Sequence, residues 1–175
     1  MHWLTLLMIT LMLASGWGRN WVPADWRVLV QPFHVSCGLS VLGITLLRLL
    51  WWPWRRVPVM AARGLMQWGA QVAHLMLYAF LIGLPVCGWL MLSAFDRPPV
   101  LWGWLALPPL MLKDHASALW LKQAHAWLAY AFAGLIALHA GAALLHHYVL
   151  RDATLRHMAP FLRVRRGMTM PPLPR

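Results

Sequence analysis

Two histidines in the last apolar stretch of the chain have a spacing that suits ligands inside a membrane. The stretch reads AHAWLAYAFAGLIALHAGAALLHHY over 124–148, and His125 and His139 lie 14 residues apart in it. On an α-helix this spacing brings both side chains to nearly one face, about 21 Å apart along the axis. Ionisable residues within a membrane helix are rare and costly, so this pair is a candidate for function.

Ligation of haem iron is the chemistry that suits the pair. Neutral imidazole is a common metal ligand, and haem iron is one of the metals that it binds. Ligands near opposite sides of a hydrocarbon core about 30 Å thick indicate two haems at two depths. His146 continues the same helix face one heptad after His139.

Other ionisable residues lie in the apolar runs that come before. His34 opens the second run, and Arg48 follows it by 14 residues, so the two share a helix face at opposite ends. His74 lies about two to three turns into the third run. Histidines that hydrogen-bond neighbouring helices are one alternative interpretation. A His-lined metal transporter is another, although transporters often contain internal repeats and the sequence has no convincing one.

Four long apolar runs supply the helices that must position these side chains. Hydrophobic residues make up 61% of the 175 residues, which is more than a soluble core of this size needs. The composition therefore predicts an all-α fold, an integral membrane four-helix bundle. The predicted spans are about 3–18, 33–52, 65–95 and 118–150, within one membrane domain over 1–158 that a basic, Pro-rich tail over 159–175 follows.

The sequence also predicts the nature of the first apolar run and of two connecting segments. No Lys or Arg precedes the first run, and Ala14, Ser15 and Gly16 make only a weak cleavage site, so we expect an anchor rather than a signal peptide. The stretch 19–31 is predicted to be a loop. The segment VLWGWLAL in the connection 96–117 is too short to span and is predicted to lie in the membrane interface.

Basic residues set the expected orientation. Lys and Arg number 15 against four acidic residues, for a formal net charge of +11. Such a charge can indicate nucleic acid, but these residues lie between apolar runs, so we expect a lipid bilayer and no nucleic acid. The connection before the third run and the C-terminal tail hold most of the Arg residues, which predicts that both termini are cytoplasmic. His34 and His125 are then near the outer face, and His2, His74, His139 and His146 are on the inner side.

The two cysteines, Cys37 and Cys87, both fall inside apolar runs. We expect buried thiols that pack as small hydrophobic side chains.

Motifs along the chain resemble the bacterial cytochrome b561 family. They are His2-Trp3 at the start, HVSCG at 34–38, AHLMLY and GLPVCG in the third run, and H-x13-H followed by HHY in the fourth. Each fragment is weak singly, and the specificity comes from their order and spacing. The likeness extends from His2 to about Arg166.

The resemblance implies a multi-pass cytochrome of the bacterial inner membrane with two haem b groups. His34 and His125 would ligate the iron of the outer haem, and His2 and His139 that of the inner haem. A family member of this kind oxidises superoxide outside and reduces ubiquinone inside, as a superoxide:quinone oxidoreductase. The alternative is a cytochrome b membrane-anchor subunit that passes electrons between a respiratory dehydrogenase or hydrogenase and the quinone pool.

Further residues would serve the inner side on that interpretation. His146 would lie at the quinone site, and His74, Arg48 and Arg63 would contact haem propionates or quinone, because Arg suits carboxylates. For Arg48 and Arg63 the alternative is anchoring by snorkelling. His2 has one residue before it, and a ligand at a frayed helix end is held less firmly.

Overall fold

The structure is a computed structural model that describes residues 2–51 and 65–149. It contains the helices α1 (His2–Gly18), α2 (Ala24–Leu50), α3 (Leu65–Ala94) and α4 (His115–Tyr148), and the strands β1 (Val100–Leu101) and β2 (Leu105–Ala106). The predicted all-α class with four helices is confirmed, since the two short strands form only a small hairpin. The predicted tail over 159–175 lies outside the described residues, as does Arg63.

The helices have the length and composition of membrane spans. Three apolar stretches are long enough to cross a bilayer, Ala24–Leu50, Trp68–Ala94 and His115–Leu145. The apolar α1 has 17 residues, a length at the lower end of the range of about 17–25 that spanning helices need.

The second helix begins earlier than the sequence predicted. The expected loop over 19–31 ends at Pro23, and α2 starts at Ala24. Pro23 has a φ of −53°, which is the value that its ring favours before a helix, and Asp25 places a negative charge in the first turn. Pro32 lies inside the helix. The predicted loop over 19–31 ends just before this proline, and the helix instead continues through it.

The described residues belong to two compact units, Met1–Ala137 and Leu138–Arg175. In the first unit, all four helices contribute to one buried core. Its members are Ile9 of α1, Val41 of α2, Leu81 and Leu84 of α3, and Phe132 of α4. The second unit is described only over the last turns of α4, from Leu138, and the adjoining Val149.

The hairpin between α3 and α4 packs on α2. Its turn has positive φ at Trp102 (51°) and Gly103 (81°), as a type I′ turn requires. The Trp102 amide donates to Ser36 Oγ at 2.9 Å, and its indole nitrogen donates to Ser40 Oγ at 3.2 Å. These two hydrogen bonds tie the hairpin to α2 at Ser36 and Ser40.

The end of α3 and the start of α4 are both capped. At Asp96, which has a φ of 61°, α3 ends with the Arg97 amide bonded to the Leu92 carbonyl at 2.9 Å, as in a Schellman motif. At the start of α4, the Asp114 carboxylate accepts hydrogen bonds from the Ala116 amide and from the amide and hydroxyl of Ser117. The hydrogen bonds from Ser117 lower the pKa of Asp114.

Candidate functional site

Two of the predicted ligands, His34 of α2 and His125 of α4, come together in the first unit. Their ring centroids are 6.2 Å apart, and the rings are inclined by 75°. Both side chains are half-buried. Residues separated by 91 positions in the sequence thus face one another inside the bundle.

A cavity of about 70 Å³ adjoins both imidazoles. Apart from the histidines its lining is almost wholly apolar, and it includes Leu13, Gly38, Leu84, Pro85, Leu92 and Ala129. Cofactor sites are concave and mostly apolar, with a few polar groups that fix orientation. The two imidazoles are the polar groups of this cavity.

The hydrogen bonds of His34 fix its tautomer. Its Nδ1 lies 2.9 Å from the Met12 carbonyl and 3.2 Å from Ser15 Oγ. A carbonyl only accepts, so Nδ1 carries the proton and donates. The lone pair is then on Nε2, which is the arrangement of a histidine prepared to bind a metal.

His125 has a different environment. Its Nδ1 is buried and has no hydrogen bond of ordinary length and angle within the described residues. The ring packs against Gly88, where an added Cβ would lie 3.3 Å from His125 Cε1. At His34 the corresponding contact is with Gly16, where an added Cβ would lie 3.0 Å from Cε1. Each ring therefore occupies space that a side chain on the neighbouring helix would fill.

These residues fit the axial ligation of one haem. Metal–imidazole bonds of about 2 Å on both sides would hold the two centroids roughly 6 Å apart, close to the observed separation. The cavity is smaller than the ~300–1,000 Å³ of a typical ligand site. Binding of a tetrapyrrole therefore requires the side chains along it to move apart.

A second group of predicted residues gathers around Arg48. An Arg48 terminal nitrogen donates to Thr5 Oγ1 at 2.9 Å, while Nε is buried and has no hydrogen-bond partner in the described part of the chain. His2, Arg48 and His74 lie close enough to interact electrostatically. His74 also pairs Nδ1 with the Ala70 carbonyl at 2.6 Å. The spare guanidinium donor of Arg48 suits a carboxylate.

For the other residues predicted on the inner side, the structure gives fewer contacts or none. His2 is the first residue of α1, and its ring is exposed and edge-on to Trp3 at 5.9 Å. His139 lies on α4 in the second unit and is half-buried. His146 is also on α4, but its side chain lies outside the description, as Arg63 does altogether. The roles of these residues stay predictions.

A basic groove opens beside the cavity of His34 and His125. It has a volume of about 280 Å³, and Arg27 and Arg97 line it. The groove shares Val35, Leu92 and Pro99 with the cavity, so the two spaces adjoin. The sequence did not predict it, because it forms between the start of α2 and the segment that follows α3.

The structure also adds residues that sequence reasoning missed. Ser15 and Gly16, first considered as part of a cleavage site, instead contact the ring of His34. Cys37 and Cys87 are free thiols, and Cys37 is fully buried, which confirms the prediction for that residue. Cys87 is half-buried, and its thiol donates to the Leu121 carbonyl at 3.7 Å.

Comparisons with known proteins place the chain among related sequences. The family model for prokaryotic cytochrome b561 matches residues 1–161. The chain is 34% identical over 161 residues to a protein of Yersinia pestis named probable superoxide oxidase CybB, with 91% of each chain covered. It is 30% identical over 164 residues to cytochrome b561 homolog 1 of Escherichia coli K12, covering 91% of this chain and 93% of the relative. Cytochrome b561 homolog 2 of the same organism is 28% identical over 165 residues, covering 90% and 86%.

Proposed function

Because the chain belongs to the prokaryotic cytochrome b561 family, we propose that it is a di-haem superoxide:ubiquinone oxidoreductase of the bacterial inner membrane. Family membership and the apolar helices make it a membrane electron-transport protein with haem b. The observation that carries the proposal is the pair of imidazoles, His34 and His125, facing each other across an apolar cavity. The relative named a probable superoxide oxidase suggests the electron donor.

The proposed ligand sets are His34 with His125 for the outer haem and His2 with His139 for the inner haem. The fixed tautomer of His34 favours the first set, because its Nε2 lone pair is available to iron. The second set follows from the family motif and from the position of His139 on the helix that also carries His125.

The proposed reaction balances with two superoxide anions for each quinone. Each anion gives one electron and leaves as dioxygen, and two electrons with two protons convert ubiquinone to ubiquinol. A bound haem supplies a one-electron carrier between the two reactions. His34 and His125 would both hold the haem iron, and the group so held would supply one-electron transfer. Electron transfer at the edge of the haem ring is therefore favoured over binding of a gas at the iron.

The basic groove is the proposed approach for the anion. Arg27 and Arg97 line it, and a positive cleft raises the local concentration of a small anion. Lys113, by contrast, forms an ion pair with Asp96 at 3.2 Å, so its charge is largely balanced. The groove therefore attracts the superoxide anion, and this attraction weakens as salt screens the charges of Arg27 and Arg97.

The proposed acceptor side is cytoplasmic, near His146. Quinone reduction consumes protons, and imidazole transfers protons near neutral pH. Arg48, which lies close to His2 and His74, provides positive charge and a spare donor for a propionate. The orientation follows from the Arg-rich connection and tail.

The test begins with the purified protein in detergent. A pyridine haemochrome assay should give two haems per chain, and a superoxide pulse should reduce haem rapidly. A haem count of zero would exclude a cytochrome and leave the transporter interpretation. Haem that stays oxidised under the pulse, yet is reduced by dithionite, would favour the respiratory-subunit alternative.

Charge reversal tests the approach of superoxide. Arg27→Glu with Arg97→Glu should slow haem reduction about tenfold at low ionic strength, within the range for electrostatic steering, and the difference should shrink at high salt. The matched comparison is Arg27→Glu alone against Lys122→Glu, since each reverses one charge and Lys122 is exposed on α4 and does not line the groove. Equal slowing by both variants would indicate that only net charge matters.

A further inference from the structure

The last turns of α1 contact the edge of the His34 ring that carries Nδ1 and Cε1. Nδ1 of His34 approaches the Met12 carbonyl (2.9 Å) and Ser15 Oγ (3.2 Å), and Ser15 Oγ itself donates to the Met12 carbonyl at 2.9 Å. Since the hydroxyl proton goes to Met12, the oxygen of Ser15 is an acceptor for the His34 N–H. The ring nitrogen therefore has two acceptors.

Gly16 completes this contact. A Cβ at this position would lie 3.0 Å from His34 Cε1 and 3.3 Å from Nδ1, distances at which one of the groups has to shift. The absence of a side chain is what lets the ring reach Ser15. We call Met12, Ser15 and Gly16 the α1 seat.

His125 has no equivalent of the α1 seat. Gly88 admits its ring, but its buried Nδ1 lacks a hydrogen bond of ordinary geometry. The two imidazoles that face each other are thus unequal. Nδ1 of His34 has two hydrogen-bond acceptors. Nδ1 of His125 has no acceptor at ordinary hydrogen-bond geometry among the described residues.

We propose that Ser15 is a positioning residue that makes His34 the more electron-donating of the two outer-haem ligands and so lowers the midpoint potential of that haem. The proposal rests on the ligation by His34 and His125 proposed above. Hydrogen bonds to the Nδ1 proton raise the basicity of a ligating imidazole. A more basic ligand stabilises the oxidised, more positively charged iron, and hydrogen bonding of this kind is one way in which a protein tunes haem.

The test is a potentiometric titration of purified Ser15→Ala, followed by its optical spectrum. Loss of a neutral hydrogen bond of about 1 kcal/mol should shift the reduction equilibrium of the outer haem about fivefold. For one electron at 59 mV per tenfold this is about 40 mV, toward higher potential. The inner haem should keep its potential, and the haem count should stay at two.

Two controls separate positioning from a general effect on α1. Thr10→Ala removes a hydroxyl that donates to the Leu6 carbonyl on the same helix, away from His34, and should leave both potentials unchanged. Ser15→Thr keeps the hydroxyl and should keep the wild-type potential.

Gly16→Ala tests the contact with the ring itself. It should perturb the low-temperature EPR signal of the outer ferric haem, because the added Cβ would press on the His34 ring.

The outcomes distinguish this proposal from the ligation on which it rests. Unchanged potentials in Ser15→Ala, in a protein that loses one haem in His34→Ala, would overturn the role of Ser15 and leave the ligation standing. Equal shifts in Thr10→Ala and Ser15→Ala would overturn it as well. Retention of both haems in His34→Ala would overturn both proposals.

Discussion

Two buried side-chain nitrogens lack a hydrogen bond in the part of the chain that the structure describes, Arg48 Nε and His125 Nδ1. A buried polar group without a partner costs about 1–3 kcal/mol and more when charged, and exceptions of this kind call for an explanation. Both atoms belong to residues that the sequence marks as candidates for haem contacts. A cofactor carboxylate beside Arg48 would supply the missing partner there.

We predict that Arg48→Met lowers the midpoint potential of the inner haem. Removal of a nearby positive charge makes an added electron less stable, and we expect roughly a tenfold change in the reduction equilibrium, about 59 mV for one electron. Redox titration measures this shift. Arg48→Lys keeps the charge but loses the planar fork, so it should stay near the wild-type potential. If Arg48 only anchors the helix by snorkelling, neither variant will change the potential.

We also predict that His34→Ala and His125→Ala remove the same haem. Each substitution would remove one of the two histidines proposed to hold the outer haem, so the haemochrome count should fall from two to one in both. The spectrum that remains should be identical in the two variants. The matched control is His115→Ala, since His115 is exposed at the start of α4 and only contacts Phe95 edge-on. Two different surviving spectra would mean that the two histidines serve different haems.

The sequence singled out His34 and His125 as candidate ligands. It did not predict the residues that contact them. His34 and His125 are visible because an imidazole in an apolar run is rare. Ser15 and Gly16 are ordinary small residues, and their contact with His34 depends on how α1 approaches α2. The ion pair between Lys113 and Asp96 is likewise not predictable from the sequence, because it depends on the fold of the connection between α3 and α4.

At the scale of elements, hydrophobic pattern located the helices, and local chemistry decided their ends. The predicted third span ends at 95 and α3 ends at Ala94, because Asp96 and Arg97 end the apolar run. The start of α2 was placed too late, since the polar residues and Pro32 resemble a loop. The β1–β2 hairpin was not predicted, because it depends on a turn with Trp102 in the left-handed region and on its hydrogen bonds to Ser36 and Ser40.

The Asp114 cap gives a prediction at this scale. Asp114→Ala should lower the thermal stability at pH 7, because the amides of Ala116 and Ser117 lose their acceptor. The folded-state pKa of Asp114 is below its ordinary value. The stabilisation is therefore complete above the unfolded pKa and is lost as the pH falls through the lower, folded pKa.

Melting curves at several pH values, with haem absorbance as the signal, measure this effect. The difference between wild type and Asp114→Ala should vanish in acid. Asp114→Ser should recover part of the stability without the acid dependence. Asp25→Asn is the control, because Asp25 lies in the first turn of α2, which has no side-chain cap. A difference that persists unchanged in acid would show that the carboxylate charge is not the cause.

At the scale of the whole molecule, the charges and the ligands imply a direction of electron flow. The Arg-rich connection and tail predict cytoplasmic termini, and on that orientation the groove of Arg27 and Arg97 would lie outside. The proposed ligands His125 and His139 both lie on α4. On the proposed ligation, one helix would contribute to both haems, and the two carriers would act in series.

We therefore predict that loss of either haem interrupts turnover at a different point. In His139→Ala, a superoxide pulse should still reduce the remaining outer haem at nearly the wild-type rate, because Arg27, Arg97, His34 and His125 are intact. Ubiquinol should not form, since electrons no longer reach the acceptor side. In His125→Ala, superoxide should reduce the protein slowly or not at all, while added ubiquinol should still reduce the inner haem. Stopped-flow and pulse measurements on the same purified variants give all four rates. Normal ubiquinol formation in His139→Ala would show that quinone reacts at the outer haem, and the series arrangement would then be wrong.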